Sequence, residues 1–284
     1  MARNKSRTGA KKATAAASPA GLMGSPGGQL IFETPTDFVE LPSQGRFYAS
    51  DHPLHNKETV EIKHMTAKEE DILASKTLLK KGLALDRLIQ SVICDKSIDP
   101  ATLLVGDKNA ILIAARETGY GAEYDTKVVC PSCSTVTKIT CDLDNREVFH
   151  GGSYNGEPVE ITEGGTFFCQ LTSIDYQVEL RLLTGKEETY LARLIQSKKE
   201  KNLPESTLTD MLRMIIVSVE GHRDGPTLDQ LVNYLPARDS RHIRDLYTQV
   251  VPNVKLAHNF ECPSCQHEDV LEAPLNAEFF WPKS

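Results

Sequence analysis

Two copies of one tetrapeptide constrain this chain more than any other feature. CPSC occurs at Cys130–Cys133 and again at Cys262–Cys265, with 128 residues between Cys133 and Cys262. Two residues between paired cysteines let a tight turn aim both sulfurs at one point, and proline after the first cysteine fixes that turn. Strand-like runs flank each copy: AEYDTKVVC and STVTKITC around the first, NVKLAHNFEC and QHEDVLEAPL around the second. They form the one internal repeat and predict two hairpin-like units. Four thiolates about 2.3 Å from one ion make a closed tetrahedral zinc shell, so Cys130, Cys133, Cys262 and Cys265 are the candidate ligands of a structural Zn2+ site. The pairing requires the chain to return to its starting point with an inserted segment between. Iron in place of zinc, separate sites for the two pairs, and a redox role for one CPSC stay open. A redox pair belongs where a strand runs into a helix, and neither CPSC has that setting.

The remaining cysteines are Cys94, Cys141 and Cys169, making seven. An odd number behind a start without a continuous apolar core predicts a reducing compartment rather than a disulfide framework. Cys94 and Cys169 lie in apolar runs and read as small core residues, and Cys141 takes the same reading. No run approaches the roughly 18 apolar residues of a membrane helix.

Charge is divided unevenly. The first 32 residues hold Arg3, Lys5, Arg7, Lys11 and Lys12 and no acid, so the chain's net −7 leaves −12 on the rest. An acidic body argues against nucleic-acid binding. The expected organisation is a disordered basic arm over 1–30, then an extended segment over 31–64 that either contacts partners or packs on the core. A helical region follows over 65–119. A zinc-stapled β unit is made from 120–145 with 254–284, and an inserted α/β segment covers 146–253.

Thr66 and Glu69 form a capping box before the first helix. Leu85, Leu88, Ile89, Val92 and Ile93 keep the spacing of one buried helix face, and a further helix is expected from Asp107 to Arg116. In the insert, Tyr176, Val178, Leu180 and Leu182 alternate with Gln177, Glu179 and Arg181, predicting a strand with the polar set outward. Leu208, Met211, Leu212, Ile215, Ile216 and Val219 predict one amphipathic helix capped at Thr207, and two more follow around Leu228–Leu235 and Ile243–Val250. GGSYNG at 151–156 reads as a linker. The fold class is mixed α+β: a helical N-terminal region, a four-cysteine knuckle unit from two distant hairpins, and a mainly helical insert. Phosphate-cradling Gly loops, GxSxG and HExxH are missing, and no catalytic constellation or small-molecule site stands out.

The runs FVELPSQGRFY (38–48), EIKHMTAKEEDIL (61–73), LLKKGLALDRLIQSVI (78–93), LLVGDKNAILIAARETGYG (103–121), VELRLLTGKEE (178–188) and ARDSRHIRDLY (237–247), with the second cysteine hairpin, resemble baseplate hub proteins of T-even-like contractile-tailed bacteriophages. The resemblance covers most of 31–284. It implies a non-enzymatic structural or assembly protein of the virion tail baseplate, assembled in the host cytoplasm and binding other baseplate or hub proteins. An assembly chaperone lost from the mature virion is an alternative within that class. A zinc-ribbon nucleic-acid binder using the basic arm is the alternative outside it. The terminal EFFWPKS places Phe279, Phe280 and Trp281 as interface anchors or as cover for their own domain, in equal balance.

Overall fold

A computed structural model describes residues 32–201, 204, 206–272 and 277–280, and the unit beginning at Pro35 carries everything below. The basic arm expected over 1–30 and the terminal Trp281 lie outside the described residues.

The first strand, β1 (Thr36–Glu40), pairs antiparallel with β2 (Thr59–Lys63), Val39 opposite Val60. The long turn between them is pinned to the interior. Buried Asp107 accepts hydrogen bonds from Ser43 N (2.9 Å), Ser43 Oγ (2.6 Å) and Tyr48 OH (2.8 Å), and Leu41, Phe47, Tyr48 and Leu54 are buried around it. Helices α1 (Ala67–Ala74), α2 (Lys76–Lys81) and α3 (Ala84–Val92) follow. The expected capping box opens α1: Thr66 N and Oγ1 both donate to Glu69 Oε2, at 3.0 and 2.5 Å. Leu88, Ile89 and Val92 of α3 are buried as their spacing predicts. Helix α4 (Val105–Tyr120) runs past Arg116 and through Gly119, and stops at Gly121, whose φ is +82°.

After α4 the chain forms the hairpin β3 (Glu123–Val129) and β4 (Val136–Asp142), then β5 (Glu147–Phe149) and the small hairpin β6 (Ser153–Tyr154) and β7 (Glu157–Pro158). GGSYNG is thus more than a linker: it enters β6, and Gly151 lies so close to the end of a later helix that an added Cβ would stand 2.1 Å from Val250 O. A three-stranded antiparallel sheet comes next, with β9 (Gln177–Leu180) between β8 (Phe167–Gln170) and β10 (Ile216–Val219). Helices α5 (Gly185–Glu200) and α6 (Thr207–Ile215) separate β9 from β10. Then come α7 (Gly225–Tyr234), α8 (Ala237–Val250), β11 (Asn253–Lys255) and the hairpin β12 (Ala257–Glu261) with β13 (Glu268–Glu272).

Two expectations for the insert are corrected. The helix predicted through Val219 ends at Ile215, because Ile216–Val219 is claimed by strand pairing with β9, which suits its β-branched residues. Across β9 and the residue before it the alternation fails: Tyr176 is 49% exposed while Glu179 is 6% exposed. The buried carboxylate is satisfied by Thr166 Oγ1 (2.6 Å), Ser218 Oγ (2.8 Å) and Arg223 Nη2 (2.8 Å), which is what makes its burial tolerable.

Among the described residues the fold is mixed α/β, with eight α-helices and small antiparallel sheets. One continuous hydrophobic cluster runs from Val39 to Phe280 and draws on α3, α4, β9, α6 and α8 alike. Phe279 and Phe280 belong to it, so they cover their own core. Phe279 stacks edge-on against Tyr124 at 4.8 Å, and both rings close over the guanidinium of buried Arg116 at 5.3 and 5.2 Å. No described helix is long and apolar enough to cross a membrane.

Candidate metal centre

The two cysteine hairpins are brought together by the strands at their roots. β5 follows the first hairpin and β11 precedes the second, and they pair antiparallel, with Val254 opposite Val148 and Lys255 opposite Glu147. Helix α4 fixes that pair from below. Asn109 Nδ2 donates to Asn253 Oδ1 at 3.3 Å, and at Gly106 the helix meets the backbone of Pro252 so closely that an added Cβ would lie 2.1 Å from its carbonyl oxygen. The return of the chain is therefore built into the body of the fold.

Each CPSC is the turn of its hairpin, and the two turns repeat the same bonds. Ser134 N donates to Cys130 O, and Cys130 N to Thr135 O, both at 2.9 Å. Gln266 N donates to Cys262 O, and Cys262 N to His267 O, again at 2.9 Å. The residue after each motif, Ser134 or Gln266, takes a left-handed backbone with φ of +60° or +58°, a conformation glycine adopts more cheaply. Two residues before the first cysteine of each turn, Val128 and Phe260 are buried. With Cys130 and Cys262 they form a separate small core, which Ile139 and Leu271 flank.

The four sulfurs converge. All lie within 4.8 Å of one another. Across the hairpins, Cys130 Sγ stands 3.7 Å from Cys265 Sγ, and Cys133 Sγ 3.6 Å from Cys262 Sγ. A regular tetrahedron with 2.3 Å arms has edges of about 3.8 Å, so this donor set can hold one tetrahedral metal ion. None of the seven cysteines is joined in a disulfide. Cys130 and Cys262 are buried while Cys133 and Cys265 are exposed, so the cluster has an inner and an outer side. Neither motif opens a helix, which removes the helix-terminus setting that activates a redox dithiol.

The thiols do not share protons evenly. Thr135, whose Oγ1 lies 3.2 Å from Cys133 Sγ, is the main cause holding Cys133 down to about 6. The backbone amide of His267 acts to lower Cys265, yet the neighbouring sulfurs, Cys133 foremost, push it up to about 12. Packing four sulfurs this closely discourages full ionisation until a cation compensates the charge. Thr135 carries one sequence signal, its place two residues after Cys133. Cys141 and Cys169 are buried core residues as expected, with burial raising both thiols, and Cys94 is half-buried beyond the end of α3.

A family model described as T4 bacteriophage base plate protein matches residues 36–281. No curated protein matches the chain, and no solved structure does. The match takes in both cysteine hairpins and the intervening segment.

Proposed function

The chain belongs to the T4 bacteriophage base plate protein family, and we propose that it serves as a non-enzymatic structural or assembly component of the baseplate hub, held in shape by a zinc ion on Cys130, Cys133, Cys262 and Cys265. The observation that carries the metal part of this reading is the convergence of all four sulfurs within 4.8 Å from segments so distant in sequence. Four thiolates fill a tetrahedral shell and leave no position for water or substrate, so the ion's role is structural. Family membership supports the tail as its place and other baseplate proteins as its partners.

The alternative of a nucleic-acid-binding ribbon is disfavoured by charge. Residues 257–272 hold Glu261, Glu268, Asp269 and Glu272 and no lysine or arginine, the wrong sign for a phosphate backbone.

Metal content of the purified protein, measured by plasma mass spectrometry, tests the reading. Wild type is expected to hold about one zinc per chain, and Cys262→Ser/Cys265→Ser none, with lower stability. Wild type prepared without chelator and free of metal rejects the zinc staple; iron in place of zinc rejects the identity alone. Mass spectrometry of purified virions separates a resident hub subunit from an assembly factor that leaves.

A further inference from the structure

Outside the cysteine cluster, one cleft stands apart in a body of net negative charge. Between β2, α1, α2 and α3 lies a cleft of about 450 Å³ whose lining includes Lys63, Lys68, Arg87 and Lys96, with Ile72 and Leu78 as its apolar part. No carboxylate lines it. Glu69, fully buried beneath, is spent on Lys63 at 3.1 Å and on Thr66 and Ser91. Lys96 is anchored at the end of α3 by the carbonyls of Gln90 (2.9 Å), Ser91 (3.2 Å) and Ile93 (2.5 Å). Burial lowers its affinity for a proton, and Lys63 and Lys68 lower it further. Cations held this close together gain by taking up an anion.

The same chain displays a matching surface. In β13, Glu268, Val270 and Glu272 alternate with Asp269 and Leu271, so they share one face at a spacing of about 7 Å. Leu271 turns inward to the small knuckle core, while the opposite face shows carboxylate, methyls, carboxylate. Val270 is 60% exposed. Cleft and strand are both exposed, so neither covers the other within one copy.

We propose that the cationic cleft receives the β13 face of a second copy of this chain. Glu268 and Glu272 pair with Lys68 and Arg87, and Val270 seats against Ile72 and Leu78. The two surfaces differ, so the contact either closes reciprocally across a two-fold axis or repeats around a ring or along a filament. The proposal is independent of metal identity, because the paired groups lie outside the cysteine shell.

Sedimentation velocity on the full-length, metal-loaded protein tests this. In low salt, wild type is expected to form species larger than a monomer as concentration rises. These should recede to monomer in about 0.5 M salt, where screening shortens to about 4 Å. Lys68→Glu/Arg87→Glu and Glu268→Lys/Glu272→Lys are each expected to weaken self-association at least tenfold. Circular dichroism and metal content should be unchanged, which excludes misfolding as the cause. Mixing the two variants brings two reversed surfaces into register, as well as two native ones, and restores association. A wild type that stays monomeric in low salt overturns the proposal. So does a cleft variant that associates like wild type, or a mixture no more associated than its components.

Discussion

Glu69 shows how much a single side chain can hold together here. Its carboxylate closes the capping box with Thr66, accepts from Ser91 Oγ at 2.5 Å and pairs with Lys63. Burial acts to raise its pKa, but the bonds from Ser91, Thr66 and Lys63 together bring it down to about 2. A carboxylate that binds protons more weakly when folded contributes stability above the unfolded value near 4.5, and loses it as pH falls towards 2. Glu69→Gln is therefore expected to cost about 2 kcal/mol near neutral pH. The gap to wild type should close between pH 4.5 and 2, as read from urea midpoints across that range. An unchanged gap at pH 3 rules out the ionised form as the stabilising species. The capping half of this arrangement was legible as Thr66 and Glu69 three apart. The Ser91 contact was not, since nothing in a local pattern joins residues 22 positions apart. Glu179 is the sharper failure: period-two alternation sends it outward, and only Thr166, Ser218 and Arg223, each distant in sequence, explain why it turns in.

At the scale of elements, what reads well from sequence is whatever is decided locally. The β3–β4 and β12–β13 hairpins, the faces of α3 and α8, and each CPSC pair carried their signal within about twenty residues. The end of α6 did not, because Met211, Leu212, Ile215, Ile216 and Val219 keep helical spacing to the last. The competition is settled by β9, which offers β10 a strand edge. The β5–β11 pair was also invisible, being three residues on each side, yet it is what sets the two cysteine hairpins side by side. Its dependence on α4 gives a prediction for Gly106. This glycine sits in the first turn of the helix with no unusual backbone angle, so its smallness is what matters. A methyl there meets the Pro252 carbonyl and forces β11 off the helix. Gly106→Ala, which ordinarily favours a helix by up to about 1 kcal/mol, is expected instead to lower stability by 2 kcal/mol or more, roughly the cost of an overpacked contact. It should also weaken metal retention against a competing chelator. Full metal affinity in this variant detaches the β5–β11 clamp from the cysteine cluster.

For the whole molecule, the division between two cores determines what the proposed metal ion would hold. The large cluster from Val39 to Phe280 is continuous without the cysteine turns, whereas Val128, Cys130, Phe260 and Cys262 make a core of only four buried residues. A core that small cannot offset the chain entropy of ordering two hairpins, so the knuckle is expected to depend on the proposed ion and the body is not. Unlike a small zinc finger, which unfolds outright without metal, this chain is expected to open locally. Hydrogen exchange after chelation should show lost protection at 123–142 and 257–272. Residues 84–120 and 237–250, whose buried faces lie in the large cluster, should keep theirs. Tyr124 and Phe279 sit where the first hairpin joins that cluster, so protection should decline along β3 from Tyr124 towards Val129 rather than vanish at once. Global loss of protection on chelation means the two cores are one cooperative unit, and the ion then acts on the fold as a whole. Confinement to the knuckle means the metal shapes only the end of the molecule that displays Val129, Val136 and Val270 to solvent. In that case chelation should abolish contacts made through this end while leaving the body folded.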